Sequence, residues 1–206
     1  MGNIAWGVPL DADHEYAGTF LTLLNPYSLL MGLTTVALFL MHGSIYLVMK
    51  TEGELHDRIR SWINPLIIFF IIDYAVLTLA TLLYVDHITQ ILREQPVFFI
   101  FAILLVLAIA NIPREISKGR DFNAFLSSCG TMLLLMALFG IGMFPYMVYS
   151  HPVAANSLTA YNGSSTDKTL QIMLIIAVIG VPIVIAYTIS IYWIFRGKVK
   201  LGPDSY

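Results

Sequence analysis

WINPLIIFFIIDYAVLTLATLLY, residues 62–84, decides the fold class, because its 23 positions hold one acid, Asp73, and no Lys or Arg. A helix of about 20 apolar residues spans the roughly 30 Å of membrane hydrocarbon. The run is continuous rather than alternating, which predicts a helix and not a barrel strand. Working outward, four further stretches have the same character: about 26–49, 97–112, 122–149 and 169–195. The third, at about 16 residues, would cover only about 24 Å, so it must stand upright or borrow turns from its flanks.

Composition agrees. Of 206 residues, 58% are hydrophobic and 12% charged, with a mean hydropathy of +0.78. A soluble domain carries about a quarter charged residues. The expected fold is all-α, a polytopic membrane bundle of five transmembrane helices. Residues 1–25 form a lead segment outside the membrane, and 26–206 form the five-helix domain with a short C-terminal tail. The single cysteine, Cys129, excludes an intrachain disulfide, a Cys-x-x-Cys-His haem attachment and a thiolate zinc site. Net charge of −2 and the lack of a basic face argue against nucleic acid as a partner. The first 25 residues contain no Lys or Arg, so no cleavable signal sequence is expected.

The bases set the expected orientation, since loops retained in the cytoplasm keep positive charge. Lys50, Arg58, Arg60, Arg114, Lys118, Arg120, Arg196, Lys198 and Lys200 fall on one side, whereas only Arg93 and Lys168 fall on the other. That nine-to-two split predicts an N-terminus outside and a C-terminus in the cytoplasm, as five spans require. KTEGELHDRIR, 50–60, then reads as a short cytoplasmic connection.

Two polar groups stand inside the apolar runs. His42 lies about 10 Å from the inner end of the first span at helical rise. It reads either as a helix-packing histidine or as a haem axial ligand; His14, His56, His87 and His151 fall in connections, so no second intramembrane histidine completes a pair within the chain. Asp73 lies near the middle of the second span. Ionised and facing lipid it would cost several kcal/mol, so it should be protonated, paired, or turned to a hydrated interior. It is a candidate proton-relay station or a hydrogen-bonding carboxyl that holds two helices together. GVPIV, 180–184, places Pro182 in mid-helix, where a kink is expected. No nucleophile–base pair, nucleotide loop or metal-ligand spacing accompanies these groups, so catalytic, cofactor-binding and metal residues are all expected to be none.

GVPLD at 7–11, LLNPYSLLMGL at 23–33, HGSIYL at 42–47 with KTEGEL at 50–55, FPYMV at 144–148, SLTAYN at 157–162 and VPIVIAYTISIYWIFRGKV at 181–199 together resemble subunit II of cytochrome bd-type quinol oxidases. The resemblance implies a respiratory complex in the bacterial or archaeal cytoplasmic membrane that oxidises quinol and reduces dioxygen to water. It places haem b and haem d in subunit I, leaves this chain a scaffold without cofactors of its own, and admits a bound quinone and membrane lipids. The family's subunit II has about nine helices, and MGNIAWGVPL corresponds to the end of the fourth. The resemblance therefore implies a separate chain for the first four helices, or a shortened product. His42 lies in a family motif and Asp73 in none. The competing expectation is a small transporter or channel component, with His42 and Asp73 lining a pathway and Pro182 as hinge.

Overall fold

The computed structural model describes residues 1–197. Lys198, Lys200 and the expected C-terminal tail lie outside the described residues. Five helices are long and apolar enough to cross a membrane, and the protein is a multi-pass membrane protein.

After a five-residue helix α1 (Gly2–Trp6), the first spanning helix α2 (Pro26–Lys50) starts at a well-made cap. The Asn25 side chain accepts the Ser28 backbone N–H at 2.8 Å, and Pro26 occupies the first helical position, where its missing N–H costs nothing. Gly53, at φ +69°, supplies the left-handed residue that turns the chain into α3 (Gly53–Tyr84). Helix α4 (Asp86–Glu94) follows immediately. A 3-10 turn at Pro96–Phe98 leads into α5 (Phe99–Ser117), and Gly119, again at φ +69°, turns it into α6 (Asp121–Met143). A two-stranded antiparallel ribbon, β1 (Tyr146–Val148) and β2 (Leu158–Thr159), precedes α7 (Asp167–Ile194).

Several boundaries differ from the sequence reading. Helix α3 begins nine residues before the expected span, so most of KTEGELHDRIR is helix rather than loop, and His56 sits in its opening turns with Nδ1 donating to the Val48 carbonyl at 3.1 Å. The ions there mark where the helix leaves the apolar layer, not where it starts. Helix α5 runs through Pro113 to Ser117, which gives the short third span its missing turn. Helix α6 stops at Met143, and the apolar FPYMV that follows becomes connection and strand, because Pro145 offers no N–H to continue the helix. Pro182 lies inside a helix unbroken from Asp167 to Ile194.

The hairpins α2–α3 and α5–α6 pack along their lengths, and α2 against α6 and α3 against α5 close a four-helix bundle. Its core reads at helical spacing from each element: Ala37, Met41, Ile45 and Val48; Ile59, Ile63, Ile67 and Phe70; Leu105, Ile109, Ile112 and Ile116. In lipid such contacts gain dispersion and close fit rather than burial from water. Helix α7 stands apart. None of its residues is buried, and Lys50 Nζ donates to the carbonyls of Phe195 (2.7 Å) and Gly197 (3.3 Å) just beyond its end.

The bundle has two unlike ends. At the basic end, where α2 and α5 finish and α3 and α6 begin, Arg60 meets Asp121 at 2.8 Å. At the opposite, cap end, the N-terminal segment is stitched to the loop after α6. Val8 N–H donates to the Tyr149 carbonyl (3.0 Å), His151 N–H to that of Val8 (3.1 Å), and the Asn156 side chain to that of Leu10 (2.8 Å).

Candidate functional site

Inside the half of the bundle nearer the basic end, short polar pairs tie neighbouring helices together. Asn111 on α5 donates to Ser127 Oγ on α6 at 2.8 Å. One helical turn nearer that end, Asn123 donates to the Glu115 carboxyl at 3.2 Å, and Arg120 lies 3.8 Å from the same oxygen. Glu115 is buried, and sequence reasoning missed it by placing the end of the span before Pro113. A carboxylate one turn from Asn111 on a continuing helix was the available signal.

His42 belongs to this seam. Its Nδ1 is 2.8 Å from Ser128 Oγ, and its ring stacks on Phe125 with centroids 4.9 Å apart. Ser128 has one proton, and it is given to the Phe125 carbonyl at 2.7 Å. With that bond made, Ser128 Oγ is free to accept from His42 Nδ1–H. Its role as the histidine's partner depends on α2 and α6 meeting, 86 residues apart.

Asp73 is 8% exposed, and its Oδ2 is buried with no hydrogen-bond partner. His42 and Asp73 are therefore not joined: the histidine is bonded to α6, and no hydrogen bond from Asp73 ties α3 to another helix among the described residues.

The cap holds a second group of rings. His87, on α4, lies face to face with Tyr149, centroids 3.7 Å apart and planes 8° from parallel, with Tyr146 edge-on to both. Trp6 lies between Tyr27 and His151. Burial pushes the His87 imidazole below its ordinary value; the nearby His151 works in the same direction, while the Ala5 carbonyl and Asp86 oppose it. His87 is thus neutral at pH 7. A group depressed in the folded state stabilises it above its unfolded pKa of about 6.5, and that contribution is lost as pH falls. Amide exchange at α4 and 146–151 should accelerate as pH drops from 7 to 5, relative to the bundle core, and His87→Gln should flatten the dependence.

The His42 ring is thus held on α6 by one hydrogen bond and one stacking contact.

Five membrane-spanning helices, an internal polar seam and a stitched cap define an integral membrane subunit whose polar groups are used mainly to join helices. The chain belongs to the cytochrome bd terminal oxidase subunit II family, whose model matches residues 1–195. It is 28% identical to the cytochrome bd-I ubiquinol oxidase subunit 2 of Escherichia coli K12, over 97% of this chain and 60% of that protein. It is 31% identical to a probable cytochrome oxidase subunit 2 of Haemophilus influenzae, over 93% of this chain and 58% of the relative. With the cytochrome bd ubiquinol oxidase subunit 2 of Bacillus subtilis it shares 30% identity, over 94% and 56%. The chain thus spans about three-fifths of the length of the relatives it matches.

Proposed function

We propose that the chain is a scaffold subunit, without haem of its own, of a cytochrome bd-type quinol oxidase that couples quinol oxidation to reduction of dioxygen to water. The observation that carries this reading is the family match along residues 1–195. The engagement of His42 by Ser128 and Phe125 supports the division of labour. Haem b and haem d belong to a partner, subunit I. A quinone and membrane lipids complete the assembly in the cytoplasmic membrane of a bacterium or archaeon. Co-expression with subunit I tests it: oxygen uptake driven by quinol should require this chain, and omitting it should abolish the uptake.

The basic end faces the cytoplasm and the cap faces outside. Supporting this, Lys50, Arg58, Arg60, Arg114, Lys118 and Arg120 gather where α2, α3, α5 and α6 meet their short connections. In intact cells an impermeant thiol reagent should label Ser164→Cys and leave Lys118→Cys unmodified, in a Cys129→Ser background. The reverse pattern would invert the topology.

One observation favours a second role for Asp73. A buried carboxyl with no bond to a neighbouring helix is available to take up and release a proton, the behaviour of a relay station. The scaffold reading expects Asp73→Asn to retain oxygen uptake within about twofold at matched haem content. A fall of tenfold or more would make Asp73 a proton-pathway residue.

A further inference from the structure

Two hydrophobic clusters fill the bundle, and one layer of the core belongs to neither. The larger cluster ends at Ala37 on α2 and Phe70 on α3, and the cap-end cluster resumes at Met31 and Leu77. Between them the same faces of the two helices carry Thr34 and Asp73, 5% and 8% exposed. These two stand level. Tyr27 Oη meets Thr81 Oγ1 across the α2–α3 hairpin at 2.9 Å. Thr34 lies seven residues along α2 from Tyr27, and Asp73 eight residues back along α3 from Thr81, a mismatch of about 1.5 Å at helical rise.

The facing helix adds little bulk at this level. His42 meets Ser128 and Asn111 meets Ser127. Eight residues from the first tie stand Thr34 on α2 and Met136 on α6; nine residues from the second stand Ala102 on α5 and the same Met136. Ala102 continues the core stripe of α5 one turn beyond Leu105. Thr, Asp and Ala therefore share a layer next to one that holds Phe70 and Leu105. Thr34 Oγ1 gives its proton to the Leu30 carbonyl at 2.9 Å and retains its lone pairs. Asp73 Oδ2 is buried and makes no bond. Both oxygens lack a donor among the described residues, and in a membrane-spanning core such a lack is costly.

We propose that Thr34 and Asp73 hold an internal water in the bundle core, which donates one O–H to Asp73 Oδ2 and the other to Thr34 Oγ1. Water fits because it brings two donors at once and is small enough for a single layer between packed helices. Buried waters typically make about three hydrogen bonds to groups that otherwise have none. This water deepens the relay reading of Asp73, and only its purpose rests on that reading: a carboxyl bonded to water can exchange its proton, whereas one sealed in hydrocarbon cannot. Leucine at position 73 removes the carboxyl and its water together and leaves the layer apolar.

Water-edited carbon-13 NMR of the full chain in lipid tests it, because magnetisation passes quickly from water only to carbons beside it. The Asp73 carboxyl carbon and the Ala102 methyl should gain signal about fivefold faster than the buried Ile67 side chain. Thr34→Val keeps the volume and removes an acceptor, so it should slow both about threefold, whereas Thr34→Ser should leave them unchanged. Asp73→Leu should bring the Ala102 methyl down to the Ile67 rate. Wild-type rates no faster than that of Ile67 mean a dry layer and overturn the proposal. Fast rates that survive Thr34→Val place the water away from Thr34 and overturn it. A fast rate at Asp73 without one at Ala102 reports only the exchange of the carboxyl's own proton and overturns it as well. The relay reading fails separately: fast rates at both carbons, together with oxygen uptake retained by Asp73→Asn at matched haem content, keep the water and remove the relay.

Discussion

Phe70→Ala should destabilise the isolated chain by about 3 to 5 kcal/mol, the range for removing a buried aromatic ring from a packed core. Phe70 is 0% exposed and heads the fully buried side chains by volume. It joins α3 to the rest of the core and stacks on Tyr74, centroids 6.0 Å apart. Alanine leaves a void in this buried cluster, into which the surrounding side chains collapse only in part. Equilibrium unfolding in mixed micelles, followed by helix content, measures the effect. Phe70→Leu, which refills most of the volume, should recover more than half of it. A loss below about 1 kcal/mol for alanine would mean that α3 does not pack on α5 as described.

Three residues further along α3, the opposite sign is expected. Asp73→Leu should stabilise the isolated chain by about 1 to 3 kcal/mol, because it removes a buried polar atom that has no partner. The sequence alone suggested the reverse, since a carboxyl holding two helices would be missed. The structure changes the expectation because the Asp73 Oδ2 makes no hydrogen bond. The same unfolding measurement decides: a destabilised leucine variant would show that Asp73 is paired inside the chain. Asp73→Asn, which keeps the shape and leaves an unpaired amide, should change stability by less than the leucine variant.

These two positions also show what the sequence could and could not carry. Continuous apolar runs identified all five spanning helices, because helix is the structure that satisfies its own backbone in lipid. Their ends were less legible. Charges at 52–60 signalled the edge of the apolar layer and were read as a loop, although Gly53–Tyr84 is one helix. DHITQILRE, too short and polar for a spanning pattern, gave no warning that α4 packs on α6, where a Cβ at Gly142 would come within 2.6 Å of Ile88. His42 and Asp73 were conspicuous as polar residues among apolar ones. What each touches was not, because the Ser128 bond and the empty surroundings of Asp73 Oδ2 depend on how distant helices meet.

The central claim is that this chain holds a haem-bearing partner together and binds no haem itself, and the visible spectrum of the purified protein tests it most directly. Purified alone from cells that make haem, the chain should show no stoichiometric Soret band. Purified with subunit I, it should carry the haem spectrum of the oxidase, unchanged in form by His42→Ala in whatever complex still assembles. A stoichiometric Soret band in the isolated chain, lost in His42→Ala, would contradict the account and make His42 an iron ligand.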